Sequence, residues 1–288
     1  MRELVFDTYY GEGRVDQGNQ NFPGFRHWYM KVSDGEFGYI GSGKQPYDAV
    51  TRHNFMTAKN RRDQGDLDTL AAYHFARRQD EGFHWQDQAD AYLRQVDWLD
   101  AQGVVLDYDV LDLEPKGNNI PEHPSWGYKQ FPRGWGSWMW EWYKYVTAHT
   151  GRLCLLYGGS SHAYDMFDRW GYEWHRECDW IISSYPLRQG DWNQQFHDEI
   201  LAGLHEMPLF RQFEYMRNKV VMWQYSDMFP VNGWQLDEEG GIGSRAADVN
   251  VWLVDWRVLL NKPLPEVPKD SPVTRAWNRI KDWRIRPL

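Results

Sequence analysis

The chain has 288 residues, 42% hydrophobic and 25% charged, and a formal net charge of −9 at pH 7. That is the composition of a folded protein long enough for one large α/β domain, and the acidic balance excludes nucleic acid as a partner, because phosphate binding needs clustered Lys and Arg. Cys154 and Cys178 are the only cysteines, too few for a disulfide framework, and no run approaches the roughly 18 apolar residues of a membrane-spanning helix.

The start, Met1 to Asp7, carries no secretory apolar region, so synthesis without a removable signal is expected. From there, eight short β-prone apolar runs follow in order, at 4–9, 29–32, 70–75, 104–114, 153–157, 180–185, 220–225 and 249–254. Between the third and fourth, Ala89, Tyr92, Leu93, Val96 and Leu99 recur at helical spacing and predict an amphipathic helix. After the fourth, Met139, Trp142, Tyr143 and Val146 share a helical face, and Gly151 is placed to end that helix in a left-handed conformation. Strands alternating with helices imply parallel βα units. Eight of them, with no Gly-rich nucleotide fingerprint, favour a closed β/α barrel over an open sheet.

Two stretches read as insertions at strand ends: 116–136, rich in Pro, Gly and Trp, and 187–218, without a strand period. The segment 263–272 reads as a proline-rich linker. Beyond it Val273, Trp277 and Ile280 can line a short helix that also carries Arg275, Arg279, Lys281, Arg284 and Arg286. The expected organisation is therefore a barrel over 1–260 and a linker with a short basic helix over 261–288.

The fourth run, Val104-Val105-Leu106-Asp107-Tyr108-Asp109-Val110-Leu111-Asp112-Leu113-Glu114, places four carboxylates in an apolar strand. Charge in such a setting is costly unless it faces a solvated site. Asp112 and Glu114 are two apart, so they face the same side with Cα atoms roughly 6 to 7 Å apart, at the strand end where barrel enzymes gather their reactive groups. Two like charges this close raise the proton affinity of one member. One carboxyl can then donate a proton while the other stays ionised, which is what cleavage of a glycosidic bond requires. Asp7, at the end of the first strand, and Asp248, at the last, can converge on the same mouth; Asp107 and Asp109 are left without an assigned role. The 18 Trp and 17 Tyr suit a carbohydrate groove, since sugar rings stack their C–H faces on aromatic side chains.

The sequence resembles the family 25 glycoside hydrolases, the muramidases that include Chalaropsis-type lysozymes and many phage endolysins. The resemblance is carried, in the family's order, by Phe6-Asp7, Met30-Lys31-Val32-Ser33-Asp34-Gly35, Ala72-Tyr73-His74-Phe75, Leu111-Asp112-Leu113-Glu114, Trp180-Ile181 with Tyr185, Val221-Met222-Trp223-Gln224-Tyr225-Ser226 and Asp248-Val249-Asn250. It implies an irregular, TIM-like α/β barrel with a helix-poor second half. It also implies Glu114 as general acid/base, Asp112 as its paired carboxylate, Asp7 and Asp248 as the remaining acids, and the β-1,4 bond after N-acetylmuramic acid in peptidoglycan as substrate. Configuration would be retained, with the substrate's N-acetyl group as nucleophile. No cofactor or metal is implied, and a monomer acting on the cell wall is expected.

Tyr73, Tyr157 and Tyr185 end strands and are groove candidates, as is Asp34, which stands where many members of that family have Glu. His74 is read either as a core residue or as a hydrogen-bond partner within the carboxylate cluster. Trp223 and Tyr225 share one face of their strand and Gln224 the other, and whichever set faces the mouth would contact sugar. Three rival readings stand beside this one, the weakest being metal-dependent phosphoester hydrolysis, which would want His and Asp ligands converging on one ion where only His74 is near. A family 18 chitinase-like enzyme has a D-x-x-D-x-D-x-E pattern that Asp107, Asp112 and Glu114 fit and Val110 breaks. A non-catalytic wall-binding phage structural protein on the same barrel would not need the full acid set.

Overall fold

The computed structural model describes residues 2–8, 14–15, 25–44, 47–77, 84–114, 135–159, 178–186, 193–207, 218–230 and 246–264. In chain order the elements are β1 (Leu4–Thr8), β2 (His27–Asp34), β3 (Phe37–Gly38), α1 (Tyr47–Asp63), β4 (Thr69–Phe75), α2 (Trp85–Ala101), β5 (Tyr108–Asp112), α3 (Trp135–Thr150), β6 (Leu153–Gly159), β7 (Trp180–Ser183), α4 (Gln194–Leu201), β8 (Val220–Pro230), β9 (Ala246–Trp252) and α5 (Trp256–Leu260). Eight strands close a barrel in the order β1-β9-β8-β7-β6-β5-β4-β2, with β1 pairing back onto β2. From β1 through β8 neighbouring strands run parallel; β9 runs antiparallel to both β8 and β1. That reversal is the irregularity of the barrel, which is otherwise TIM-like.

Side chains alternate across each strand, so the sheet separates two apolar layers. Outward, Trp28, Leu70, Leu111, Leu156 and Trp180 pack with Tyr92 and Leu99 of α2 and Met139 and Trp142 of α3. Inward, Val5, Tyr29, Ala71, Tyr108, Val110, Leu155 and Met222 fill the barrel. Burying a leucine such as Leu111 or Leu156 contributes roughly 1.5–3 kcal/mol. The helical spacing of 89–99 is therefore cashed in against the outer layer. α3 ends at Gly151, whose φ of 66° lets its N–H donate to the Thr147 carbonyl at 2.9 Å. Asn193 starts α4 by accepting the Phe196 N–H on its Oδ1 at 2.9 Å.

Each of the eight expected runs overlaps a barrel strand. Three differences have physical reasons. The fourth strand is shorter than 104–114 because residues 104–107 form its approach, fixed by Asp107, whose carboxylate accepts the Leu70 N–H at 2.8 Å and both Arg62 guanidinium nitrogens. The helix α1 and the hairpin strand β3 were not anticipated, since α1 has a weakly apolar sequence and β3 is only two residues long. The 187–218 stretch contains α4, a helix too short to produce a clear period. Residues 115–134 and 265–288, which hold nearly all of the other insertion and of the basic tail, lie outside the described residues.

Candidate active site

The C-terminal ends of the parallel strands form the mouth of the barrel, and β5 delivers its acids there. The Asp112 carbonyl accepts from the Ala76 N–H and the Leu113 N–H donates to the Tyr157 carbonyl, both at 2.9 Å. The chain thus stays extended for one step past the strand. Leu113 is buried in the outer layer, and Glu114 returns to the side of Asp112. On the opposite wall, Asp7 of β1 and Asp248 of β9 are paired residues of an antiparallel ladder, so their side chains project together.

Asp7 and Asp112 are each only 7% exposed. Burial raises the Asp7 carboxyl well above the usual carboxylate range, and the charges of Asp248 and Glu114 add to it, against a lowering from the neighbouring Tyr29 hydroxyl. Burial likewise lifts Asp112 well above that range, reinforced by Glu114. Glu114 is also raised by burial, with the Tyr157 hydroxyl and the Lys31 ammonium pulling the other way. The site as a whole therefore holds protons at a pH where free carboxyls have lost them. Oδ1 of Asp7 and Oδ1 of Asp112 are buried without a hydrogen-bond partner among the described residues.

Around the acids, Tyr157 at the end of β6 donates to Gln224 Oε1 at 2.5 Å, and Tyr185 donates to the same oxygen at 3.1 Å. Tyr73 faces inward, edge-on to Tyr29 at 5.8 Å between ring centroids. Asp34, at the end of β2, accepts from Lys31 Nζ at 3.2 Å and Arg77 Nη2 at 2.9 Å. Burial pushes the Asp34 carboxyl up, but the Arg77 hydrogen bond and the two cations outweigh it and leave it below its ordinary value.

Three of the expected site residues face away from this mouth. His74 is wholly buried in the outer layer, stacked on Trp142 at 5.2 Å, hydrogen-bonded to Ser33 Oγ at 2.8 Å and to Gln88 Oε1 at 3.1 Å. Burial lowers its pKa to about 4, so the ring is neutral. Both ring nitrogens are thus engaged away from the carboxylate cluster. Trp223 and Tyr225 also lie in the outer layer, Trp223 donating to the Ser184 carbonyl at 2.8 Å and Tyr225 pairing with His197. The inward member of that segment is Gln224. Of the two faces that the alternation offers, the one holding Gln224 is therefore turned to the mouth. Lys31, a cation inside an apolar strand, was quoted only as part of a motif; its cost of burial was the signal that it had a partner.

Asp107 and Asp109 are structural. Asp107 is held by Arg62, while Asp109 is fully buried outside the barrel and accepts from Tyr92 at 2.7 Å, Thr150 at 2.7 Å and Arg152 at 3.1 Å. One further group of potential metal ligands occurs among the described residues, Glu3, His27 and Asp68, at the other end of the barrel. Its atoms are already engaged: His27 bonds Glu3 at 2.6 Å and Thr69 at 2.9 Å, and Arg26 clasps Asp68. It closes the bottom of the barrel rather than opening a site.

Comparison of this architecture with solved structures gives long, nearly complete alignments. A family 25 glycosyl hydrolase from Bacillus anthracis aligns with a TM-score of 0.53 at 17% identity, covering 91% of this chain and 94% of that one. The fold is that of the family 25 glycosyl hydrolases. A lysozyme from Streptomyces coelicolor shares it, with a TM-score of 0.53 at 15% identity over 90% of this chain and 96% of the other. So does the catalytic domain of an endolysin from bacteriophage P40 of Listeria monocytogenes, with a TM-score of 0.52 at 15% identity over 90% and 97%. No protein-family model matches the sequence, and neither does any curated protein. At such identities the family 25 fold is kept by the two apolar layers and the strand order, while most individual residues differ.

Proposed function

We propose that the chain is a peptidoglycan hydrolase, an N-acetylmuramidase that cleaves the β-1,4 bond between N-acetylmuramic acid and N-acetylglucosamine. The observation that carries the reading is the gathering of Asp7, Asp112, Glu114 and Asp248 at one barrel mouth on a family 25 fold. Glu114, half-buried beyond the strand end, is the general acid: it protonates the glycosidic oxygen as the bond to the anomeric carbon breaks. The carbonyl oxygen of the substrate's own N-acetyl group bonds to that carbon, and Asp112 Oδ1, buried with its acceptor capacity unused, takes the amide N–H. Glu114, now ionised, removes a proton from the water that opens the ring so formed, and configuration is retained. The spacing rule for two-carboxylate glycosidases does not govern such a substrate-assisted route. Tyr157, Tyr185, Tyr73 and Asp34 line the approach, and Gln224 holds the two phenols in place.

The position that breaks the family 18 pattern, Val110, lies wholly buried in the inner apolar layer, beneath the acids. The middle acid of that pattern is thus replaced by an apolar side chain on the inward face of the strand, which favours peptidoglycan over chitin. No helix among the described residues is long and apolar enough to cross a membrane; action on the cell wall as a monomer completes the reading. The test is turbidity loss of purified peptidoglycan with wild type and Glu114→Gln, followed by mass analysis of the fragments. Wild type should release fragments with reducing-end muramic acid, and the variant should lose at least about a hundredfold in rate. Equal rates would sink the assignment, and cleavage of chitin alone would transfer it to the rival family.

A further inference from the structure

A strand that alternates strictly would send residues 31 and 34 to opposite faces. β2 does not alternate strictly. Its register with β4 shifts between Lys31, paired with Tyr73, and Ser33, paired with His74. Val32 and Ser33 both turn outward, Val32 into the outer core and Ser33 onto His74. The extra residue returns Asp34 to the side of Lys31, and their side chains meet at 3.2 Å.

The ammonium is fixed in three further ways. It lies 4.0 Å above the Phe75 ring, an attractive cation–π geometry. Phe75 is in turn paired in register with Asp34 on one side and Asp112 on the other. Arg77 neutralises Asp34 through two hydrogen bonds and places its own guanidinium 4.9 Å from the same ring. With 12% of its side chain exposed, Lys31 is poorly screened by water. Among the described residues, the charged groups around it are Asp7 from β1, Asp34 from its own strand, Arg77 beyond β4, Asp112 from β5 and Glu114 just past it, with Tyr29 and Tyr73 as the adjoining phenols.

We propose that Lys31 is a positioning residue of the reaction, the fixed positive charge that lets Asp112 ionise in a mouth it shares with Asp7 and Glu114. This role rests on the muramidase reading for its kinetic consequence but not for its electrostatic one. Its charge lowers the proton affinity of Asp7, Asp112 and Glu114, opposing the burial that raises all three. The bulge aims it, the Asp34–Arg77 pair anchors it, and Phe75 holds it at the height of Asp112. Without it the cluster would take up an additional proton, and a protonated Asp112 could no longer accept charge from the N-acetyl amide.

The experiment is a titration of side-chain carboxyls by carbon-13 NMR in wild type, Lys31→Met and Lys31→Arg, alongside pH profiles of kcat/KM on peptidoglycan. In Lys31→Met the buried carboxyls should titrate about one pH unit higher, and the acidic limb of kcat/KM should move up with them. Lys31→Arg should keep both curves close to wild type. Identical carboxyl titrations in wild type and Lys31→Met would overturn the proposal, whatever the loss of rate. Should Lys31→Met show no cooperative melting, Asp34→Asn decides: removing a negative charge beside the ammonium should shift the buried carboxyls downward, and no shift would overturn the proposal. Absence of peptidoglycan cleavage by wild type would defeat the muramidase reading and leave the carboxyl titration to judge Lys31.

Discussion

Asp109 and Asp112 stand three residues apart on β5, both shut away from solvent, and the fold treats them in opposite ways. Asp109 points outward and is saturated: Tyr92, Thr150 and Arg152 occupy both its oxygens. Asp112 points inward, keeps one oxygen without a partner among the described residues, and faces another acid. The first arrangement locks α2, α3 and β6 together through one charge. The second leaves a charge under strain where a reaction can use it. A buried acid is thus not by itself a sign of chemistry. What separates the two cases is whether the surrounding chain has satisfied it.

The comparison breaks most visibly at Asp109. Asp109→Ala leaves Arg152 as an uncompensated buried charge and should cost about 3–5 kcal/mol in chemical denaturation, while kcat/KM per folded molecule stays unchanged. A stability loss under about 1 kcal/mol would show that the outer pair is not the fastening described.

Asp112→Asn should do the reverse. Burial and the Glu114 charge raise Asp112 in the folded state, so its contribution to stability is complete below the unfolded value near 4 and is lost as pH rises through the higher folded value. Removing the ionisable group should therefore stabilise the protein at pH 7 by about 1–2 kcal/mol, with the gain fading toward pH 4, and should abolish wall cleavage. Melting curves across pH decide it, and a destabilised variant at pH 7 would contradict the unsatisfied state of the inner acid.

The smallest effect separates neighbours on β8. Gln224→Met releases Tyr157 and Tyr185 and should lower kcat/KM about tenfold, as loss of a buried hydrogen-bond pair implies. Trp223→Phe, next to it but facing outward, should lower the melting temperature and leave kcat/KM within about twofold of wild type. If Trp223→Phe alone reduced kcat/KM, the assignment of faces on β8 would be reversed.

The same contrast explains what could be read before the structure. The strands were legible because each carries several apolar residues on at least one face, and α2 and α3 because their periods run over many residues. The Asp112–Glu114 pair was legible because residues two apart on a strand share a face. Which way His74, Trp223 and Tyr225 face stayed open because alternation states which residues share a face and not which face is inside. That choice is settled by the helices that cover the outer layer. Lys31 and Asp34 were illegible as a pair, since the bulge that brings them together interrupts the very alternation used to read the strand. The role of Asp109 was not legible because its partners, Tyr92 and Arg152, come from elements distant in sequence.

The antiparallel β9 has a consequence for the birth of the protein. Asp7 belongs to the first strand and Asp248 to the last, and they are neighbours only once β9 has slotted between β1 and β8. A nascent chain emerging from the ribosome carries its earliest acid long before the partner exists, and pairing of such sequence-distant strands is among the slow events of folding. Catalytic competence should accordingly appear late and all at once. On the proposed muramidase reading, a translating cell would hold an inactive polypeptide until nearly the whole barrel had been made.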